Sequence, residues 1–419
     1  MTSKMRTAYV WAWLPGATDP VPAGKLEEHA GSDLITFAYG QSYLARPDAR
    51  ALYAPELPLR RGRQAPLASL NIAGVIRDAG PDAWGQRVIM RRLLGRRDIR
   101  DQDPGNVPLL DYLLGSGSDR PGMLDFQARA REYVPRTHDA TLEQLQQGAA
   151  DVESGAPISP ALLDALEAGS SAGGARPKAT LVHGNRHLIA KFSSLTDNYP
   201  VMKAEAIAME LAERVGMDVA GTELIQVAGR DVLLVERFDR GPSGTRRAFV
   251  SALTIAMESE MNARYVTYTG LADELRTRSV ARGETLRELF SRIAFNILVS
   301  NTDDHARNHA AFCDGEGGLE LTPAYDICPQ RRTGQEAAQA MAFGPDGQRL
   351  SQVAACLEVA GFYDLSEREA KDIIDGQLHV IRTQWDEAAD KATLTRAERD
   401  QMWERQILNP FATYGYGEG

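Results

Sequence analysis

Apolar and polar positions in the first third of the chain follow strand-like and helix-like patterns in turn. Residues 6–14 and 34–39 are rich in aromatic and β-branched side chains, and they predict two strands. A helix is predicted over 81–95, with proline at its first position and glycine placed to end it. Residues 140–168 have a helical pattern that glycine and two prolines interrupt. This part of the chain therefore mixes strands with helices.

The middle of the chain predicts strands on either side of one helix. Residues 179–192 predict a hairpin whose two-residue Gly-Asn connection suits a type II′ turn. Over 200–216 apolar residues recur every four positions and a glycine closes the segment, which predicts a helix. Residues 222–227 and 232–240 predict two further strands, and beyond residue 248 the pattern becomes largely helical. The pattern therefore predicts an α+β protein with a helical C-terminal part.

Capping-box signatures predict where three of the C-terminal helices begin. In this motif a Ser or Thr side chain accepts from the backbone three residues on, and a Glu there reaches back. The three predicted starts are Thr285-x-x-Glu288, Ser366-x-x-Glu369 and Thr395-x-x-Glu398.

Composition says more about the number of domains and the cellular compartment than about the function. A chain of 419 residues exceeds a typical single core, so two or three domains are expected. A net charge of −10 argues against a protein that coats nucleic acid unaided. Cys313, Cys328 and Cys356 have no paired spacing, which favours a reducing compartment. No apolar run reaches membrane-spanning length and the one before Pro15 is short for a signal peptide, so we expect a cytoplasmic protein without a membrane partner.

The segment 295–308, FNILVSNTDDHARN, carries the strongest chemical signal. An apolar helical run ends there, and Asp303 is followed five positions later by Asn308. This is the spacing of the protein-kinase catalytic loop, in which the Asp orients and deprotonates a hydroxyl while the Asn holds Mg²⁺. Asp326, in the later LTPAYDI, is the candidate for the second metal ligand.

Two other interpretations of this loop stay open at this point. The acids could simply cap the helix or turn that follows, as Asx residues often do. Alternatively His305 and His309, four residues apart, have a zinc-ligand spacing, although Ala306 stands where a zincin has glutamate.

A flexible glycine-rich loop at 169–178 could let backbone N–H groups approach phosphate oxygens. It lacks both a Walker A motif and GxGxxG, and such loops are more often linkers. The second strand of the hairpin that follows carries Lys191 between apolar neighbours, so this lysine could bind ATP phosphates or serve as an edge-strand lysine. Glu205 is its natural partner, although Glu210 or Glu213 could compete.

Six arginines lie close together after residue 86. The simpler interpretation is a solvated helix face, and the alternative is a contact for an acidic partner or a phosphate backbone. They are Arg87, Arg91, Arg92, Arg96, Arg97 and Arg100.

Taken in order, the motifs SSAGGARPKA, HLIAKF, VERFDR, NTDDHARN and LTPAYDI resemble the HipA family of bacterial serine/threonine kinases, the toxins of type II toxin–antitoxin systems. The segment GVIRDAGPDAWGQR is similar to the family's N-terminal signature. The resemblance implies a two-lobed, protein-kinase-like α+β fold with a mixed α/β N-terminal lobe and a largely helical C-terminal lobe. It divides the chain into an N-terminal subdomain at 1–135, an N-lobe part with the loop and hinge at 136–240, and a helical lobe at 241–419.

The resemblance also implies a role for individual residues. Asp303 matches the catalytic base, Asn308 and Asp326 the Mg²⁺ ligands, and Lys191 the lysine on the ATP phosphates. Ser171 falls where family members autophosphorylate, which ejects the loop and silences the kinase. The remaining ATP-binding positions are Ser171, Ala172, Gly173, Gly174 and Lys178 in the loop, and Glu236, Phe238 and Asp239 around adenine and ribose. The supporting residues are Glu205, His305 and Arg307.

The chain departs from the family pattern at four positions. Pro177 stiffens the loop, which reads ARPK where AQEK is expected, so the family's loop ejection becomes less certain to apply. Asp304 replaces a common Ala, and Arg307 replaces a common Lys. An arginine at 307 could still hold phosphate in a bidentate manner, so activity is not contradicted.

The resemblance therefore implies an ATP- and Mg²⁺-dependent kinase acting on a protein serine or threonine. In some relatives the substrate is an aminoacyl-tRNA synthetase, and modification of it stalls translation and promotes persistence. The family's antitoxin is a small helix-turn-helix protein through which DNA would be contacted only indirectly. Two alternatives remain, a small-molecule phosphotransferase and a nucleotide-binding scaffold that holds an antitoxin on DNA.

Overall fold

A computed structural model of the protein describes residues 6–28, 33–67, 70–94, 104–169, 174–332 and 334–417. The chain divides into two compact units, each assembled from separate stretches. The first comprises Met1–Thr196, Ile225–Val250 and Cys313–Gly317, and the second Asp197–Leu224, Ser251–Phe312 and Gly318–Gly419. The division into three consecutive domains stays a prediction.

The N-terminal part of the first unit is built on an antiparallel five-stranded sheet. Its strands are β1 (Arg6–Ala12), β2 (Val21–Glu28), β3 (Ile35–Tyr39), β4 (Arg63–Gln64) and β5 (Leu124–Gln127), in the order β4-β3-β2-β1-β5. The helices among them are α1 (Gln41–Leu44), α2 (Gly74–Asp78), α3 (Ala83–Leu94) and α4 (Leu109–Gly115). The two predicted strands and the existence of the predicted helix are confirmed, but the helix begins at Ala83 and Pro81 is not its first residue. Strands β2, β4 and β5 were not anticipated.

The rest of the first unit contains two further helices, which lie together with α3 beside a second sheet. After α5 (Leu142–Ser154) and α6 (Pro160–Gly169) come β6 (Lys178–His183), β7 (Arg186–Phe192), β8 (Thr222–Val227) and β9 (Arg230–Glu236), in the sheet order β6-β7-β9-β8. Gly184 has φ +60° between β6 and β7, as the predicted type II′ turn requires at its first central position. One core joins the faces of α3, α6, β7 and β9 through Trp84, Leu166, Phe192 and Leu234.

The second unit is largely helical, as predicted for the C-terminal part. Its helices are α7 (Val201–Arg214), α8 (Ala252–Ile255), α9 (Tyr268–Arg278), α10 (Arg282–Leu298), α11 (Val353–Glu358), α12 (Glu367–Lys391) and α13 (Arg396–Met402). Short strands β10 (Phe249–Ser251), β11 (Ala310–Cys313) and β12 (Leu319–Leu321) lie between them in the chain. Helix α10 contacts α9 and α12 and is buried along most of its length, so its C-terminal end is firmly placed. None of the helices in the described part of the chain is long and apolar enough to cross a membrane.

Two of the three predicted capping boxes are present. Ser366 and Thr395 each accept from the backbone three residues on, and the glutamate there bonds back. The third prediction is wrong, because α10 begins at Arg282 and Thr285 already lies inside its first turn. The Thr285 hydroxyl instead lies 2.8 Å from the Ser279 hydroxyl. A capping box requires a non-helical residue at its first position, which Thr285 no longer provides.

Candidate functional site

The two adjacent acids after α10 have opposite environments. Asp303 is exposed to solvent, whereas Asp304 is only 2% exposed. Asp304 accepts a hydrogen bond from the Asn296 amide at 2.7 Å, and the His309 Nε2 lies 2.9 Å from it. Of the two acids, only Asp303 is therefore accessible from solvent, and its role as the catalytic base stays a prediction.

Asn308 and Asp326 come together within the second unit, although 18 positions separate them. The Asn308 amide nitrogen lies 3.3 Å from Asp326 Oδ2. The Tyr325 hydroxyl donates to the Arg307 carbonyl at 2.8 Å and so ties the two segments beside this pair. Asp326 has φ +61°, a conformation that costs a non-glycine residue energy and is often found at functional sites.

This pair has the chemistry of a magnesium site rather than of a zinc site. Mg²⁺ takes oxygen ligands and commonly binds one or two carboxylates while keeping its waters, which a carboxylate and an amide oxygen fit. The geometry gives the zinc interpretation no support, because the Nε2 of His309 contacts Asp304 and, at 3.1 Å, the Tyr268 hydroxyl, and the Nδ1 of His305 contacts the Arg307 backbone. Over the described residues no cluster of three His, Cys, Asp or Glu side chains is arranged to hold a metal.

The two supporting residues of this loop have local partners. His305 is exposed, and its Nδ1 accepts from the Arg307 backbone N–H at 3.3 Å. The Arg307 guanidinium pairs with Glu260. The contact of His305 is local to the loop, the guanidinium of Arg307 is paired with an acid, and the predicted roles of both residues stay predictions.

In the first unit, Lys178 and Lys191 occupy directly opposite positions of β6 and β7. Both are buried, with exposures of 4% and 7%. Opposed residues on neighbouring strands project to the same face, and like charges placed so are unfavourable by themselves. Two ammonium-bearing side chains therefore lie on one face of the sheet, and their predicted contact with ATP phosphates stays a prediction.

The described end of the glycine-rich loop is anchored by the first turn of α3. The Asp82 carboxylate accepts from the Gly174 N–H, and the Trp84 N–H donates to the Gly174 carbonyl at 3.2 Å. The Trp84 indole donates to the Lys178 carbonyl at 2.8 Å, and Arg87 donates to the loop as well. Through these contacts a segment about 90 residues earlier in the chain holds the described end of the loop. Sequence reasoning missed them, because nothing local to either segment indicates the other.

Glycine is required at position 174 for two reasons. Its φ of +110° lies in a region that L side chains rarely adopt, and a Cβ there would overlap the Lys178 ammonium. The predicted positions Ser171, Ala172 and Gly173 lie outside the described residues.

The predicted adenine and ribose residues lie at the end of β9 and beyond. Glu236 is exposed and pairs with Arg186 at 2.7 Å, and Phe238 is half-buried with its ring 5.5 Å from that of Phe249. Glu205 is buried on α7 in the second unit, so its predicted pairing with Lys191 stays a prediction.

Asp239 is committed to an ion-pair network that the sequence did not reveal. It pairs with Arg237 at 2.8 Å and Arg240 at 2.7 Å, and it accepts from the Gly122 N–H at 2.7 Å. Burial would raise the pKa of Asp239, but the two guanidinium groups outweigh it and hold the pKa below its ordinary value. These contacts give the carboxylate a structural task, and its role at the ribose stays a prediction.

Three of the six clustered arginines are described, and each bonds within the chain. Arg87 bonds to the glycine-rich loop, and Arg92 pairs with Glu167. Arg91 is 5% exposed and donates to the Gly155 carbonyl at 3.1 Å, where α5 ends. The interpretation as a solvated helix face is therefore wrong for Arg91. The other three, Arg96, Arg97 and Arg100, lie outside the described residues.

Family models match two segments of the chain. The HipA N-terminal domain model matches residues 17–127, and the HipA-like C-terminal domain model matches 170–385, more than half of the chain. The two matches fall on the parts that carry the N-terminal signature and the kinase-like motifs.

Two curated relatives are similar over shorter stretches. Y4mE of Sinorhizobium fredii, described as a candidate kinase, is 30% identical over 147 residues, which is 33% of this chain and 33% of that protein. The serine/threonine-protein kinase toxin HipA of Shewanella oneidensis is 25% identical over 186 residues, 38% of this chain and 42% of that protein. The chain thus matches less than half the length of each of these relatives.

A solved structure matches nearly the whole chain. It is the toxin–antitoxin complex of HipA, HipB and operator DNA from Shewanella oneidensis MR-1, with a TM-score of 0.63 and 17% identity. The alignment covers 98% of this chain and 99% of that one. At this identity the match shows the fold, and it confirms the predicted α+β, two-lobed kinase-like class.

Proposed function

The chain belongs to the HipA family, and from this premise we propose that it is an ATP-dependent serine/threonine protein kinase of the toxin type. It transfers the γ-phosphoryl group of ATP to a protein hydroxyl, and it acts in the cytoplasm. The observation that carries the proposal is the arrangement at the end of α10, where exposed Asp303 precedes Asn308, and Asn308 lies 3.3 Å from Asp326.

In this proposal the loop residues divide the work of phosphoryl transfer. Asp303 orients the incoming serine or threonine hydroxyl and accepts its proton, because its carboxylate faces solvent. Asn308 and Asp326 would hold Mg²⁺ through their side-chain oxygens. Bound Mg²⁺ supplies the charge neutralisation that the transferring phosphoryl group requires. Most of the rate acceleration in phosphoryl transfer comes from positioning of the reactants and from electrostatic stabilisation, so the protein needs few other catalytic groups.

The phosphate-binding part of the proposal rests on the first unit. Lys178 and Lys191 lie opposite each other on the sheet, so their ammonium groups can bind the ATP phosphates together. Gly174 lies over the Lys178 ammonium with no Cβ to obstruct it, as a loop that covers phosphates requires. The adjoining positions Ser171, Ala172 and Gly173 would complete that loop by family resemblance.

The proposal is tested by incubating the purified full chain with Mg-ATP labelled at the γ-phosphate and measuring incorporation. We expect labelled protein, and we expect Asp303→Ala to lower the rate by about 10²-fold or more. Asp400→Ala is the matched control, because Asp400 is an exposed acid on α13 away from these residues in the chain. A wild-type chain that takes up no label and binds no Mg-ATP in calorimetry would refute the proposal.

Autophosphorylation at Ser171 is the finer part of the same proposal. Mass-spectrometric mapping of the labelled chain should place phosphate at Ser171, and Ser171→Ala should abolish that phosphopeptide. Label that persists at another residue in Ser171→Ala would assign autophosphorylation elsewhere and leave the kinase assignment intact.

For partners, we propose a protein substrate and a small helix-turn-helix antitoxin, with DNA contacted only through the antitoxin. The matching fold was solved as a complex of HipA, HipB and operator DNA, which supports a comparable assembly for this chain. Incubation of cell lysate with Mg-ATP and the wild-type chain, against Asp303→Ala, identifies the substrate; an aminoacyl-tRNA synthetase is the first candidate to examine. If only small molecules acquire phosphate, the chain is a small-molecule phosphotransferase instead.

A further inference from the structure

A chain of buried polar side chains runs through the second unit beside the catalytic loop. The Gln339 amide donates to the Asn301 carbonyl at 3.2 Å, and the Asn301 amide donates to Asn296 Oδ1 at 3.1 Å. Asn296 in turn donates to Asp304 at 2.7 Å. On the other side of Asp304, His309 Nε2 lies 2.9 Å away, and the Tyr268 hydroxyl lies 3.1 Å from that nitrogen. We call these six residues the Asp304 network: Gln339, Asn301, Asn296, Asp304, His309 and Tyr268.

The Asp304 network is shielded from water along its whole length. Each of its six members is at most 3% exposed. Burial of a carboxylate is costly unless hydrogen bonds replace its water, and bonds to a charged acceptor are roughly twice as strong as neutral ones. Asp304 is therefore held firmly in its position, because its displacement would leave a buried acid without hydrogen bonds.

Asp304 is adjacent in sequence to Asp303, the proposed catalytic acid. Asp303 precedes Asp304 directly, and Asp303 is exposed whereas Asp304 is buried. The backbone farther along the loop is also held, since the Leu253 N–H donates to the Ala306 carbonyl at 3.2 Å and the Ala252 N–H to the His309 carbonyl at 2.8 Å. Asp303 thus lies on a short stretch of backbone whose next residues cannot shift independently.

We propose that Asp304 is a positioning residue for phosphoryl transfer, and that the Asp304 network sets the place of Asp303. This inference rests on the proposed kinase function. A displacement of about 1 Å at a reacting group can cost about 10²-fold in rate, so a group that holds the loop can matter to catalysis without touching substrate.

The decisive variants are Asp304→Ala and Asp304→Asn. Asp304→Ala removes both bonds, and we expect kcat to fall by about 10²-fold while KM for ATP changes by less than about twofold. Asp304→Asn retains an oxygen for Asn296 and places a polar amide group toward His309. We therefore expect Asn to restore activity to within about tenfold of the wild type.

Gln377→Ala is the matched control for a purely structural effect. Gln377 is 2% exposed and donates to the Ser291 carbonyl at 2.8 Å, so its loss also removes buried hydrogen bonds from the second unit. The expected result is a lowered unfolding midpoint with kcat unchanged. If kcat falls equally in Asp304→Ala and Gln377→Ala, the positioning role is refuted.

Hydrogen exchange gives a second readout that does not depend on activity. The Asn301 N–H donates to the Asn296 carbonyl at 2.8 Å, and the Asn308 N–H donates to the His305 carbonyl at 2.8 Å. We expect these loop amides to exchange about tenfold faster in Asp304→Ala than in Gln377→Ala. Equal exchange in the two variants, or faster exchange with kcat unchanged, overturns the inference. Should the wild type prove inactive, the proposed function fails, and the exchange rates alone decide whether Asp304 fixes the loop.

Discussion

The catalytic loop and the glycine-rich loop are held in place by different means. The catalytic loop carries its own anchor, since Asp304 lies within it and bonds to Asn296 in the helix that leads into it. The glycine-rich loop is held at its described end from outside. Gly174 bonds to Asp82, which lies 92 positions earlier in the chain.

This difference predicts which loop can move at low cost. Bonds such as those from Trp84 to the Gly174 and Lys178 carbonyls contribute about 1 kcal/mol each in net terms, so exchanging them for water costs little. Release of Asp304 would leave a buried acid unsatisfied, at a cost of about 3 kcal/mol or more.

The largest effect on activity is expected from a substitution of Lys191, which follows the glycine-rich loop in the chain. Lys191→Met removes a buried ammonium that we assign to the ATP phosphates, and we expect kcat/KM for ATP to fall by about 10²- to 10³-fold. Steady-state labelling kinetics measure it. Lys371→Met, at an exposed position of α12, is the control and should keep wild-type kinetics. Wild-type kinetics in Lys191→Met would remove this residue from the nucleotide site.

A smaller effect is expected where the glycine-rich loop meets Lys178. In Gly174→Val the Cβ would overlap the Lys178 ammonium and the backbone would be strained, so we expect KM for ATP to rise about tenfold with a smaller change in kcat. Gly155→Val is the matched control, because Gly155 also has positive φ, +74°, but no atom lies within 4 Å of its Cβ position. A tenfold rise in KM for both variants would attribute the effect to general strain.

The smallest effect on activity, and a distinct effect on stability, is expected at the ion-pair network of the first unit. Burial would raise the pKa of Asp119, but Arg237, Arg240 and Arg246 outweigh it and hold the pKa below its ordinary value. An acid with a lowered folded pKa contributes stability above its unfolded pKa of about 3.9, and that stability is lost as pH falls through the folded value.

Asp119→Asn tests this expectation by urea unfolding. At pH 7 the variant should be less stable by about 1–2 kcal/mol, because the Asp119 side chain is 23% exposed and water screens part of its interaction with the arginines. The gap to the wild type should narrow as pH falls below about 4. A gap that stays constant from pH 7 to pH 2 would show that the charge of Asp119 does not stabilise the fold. Labelling at pH 7 should stay within about twofold of wild type, since Asp119 has no proposed contact with nucleotide or substrate.

Local sequence determined the elements whose cause is local. The Gly-Asn connection specified the β6–β7 turn, four-residue apolar spacing specified α7, and Ser366 and Thr395 specified two helix starts. The same holds for the motif spacing of Asp303 and Asn308, which follows from one short loop. Apolar periodicity, turn chemistry and helix capping each depend on a few neighbouring residues, so a short stretch of sequence is enough to predict the element.

The tertiary structure decided which residues of the same type are buried and which partners they bond to. Nothing in the run Asp303-Asp304 indicates which acid is buried, because that depends on Asn296 and His309 meeting only one of them. Likewise Asp239 bonds to Arg240 and to distant Gly122. The physical reason is that the cost of burying a charge is set by the partners that folding brings to it, and those partners come from segments far apart in the chain.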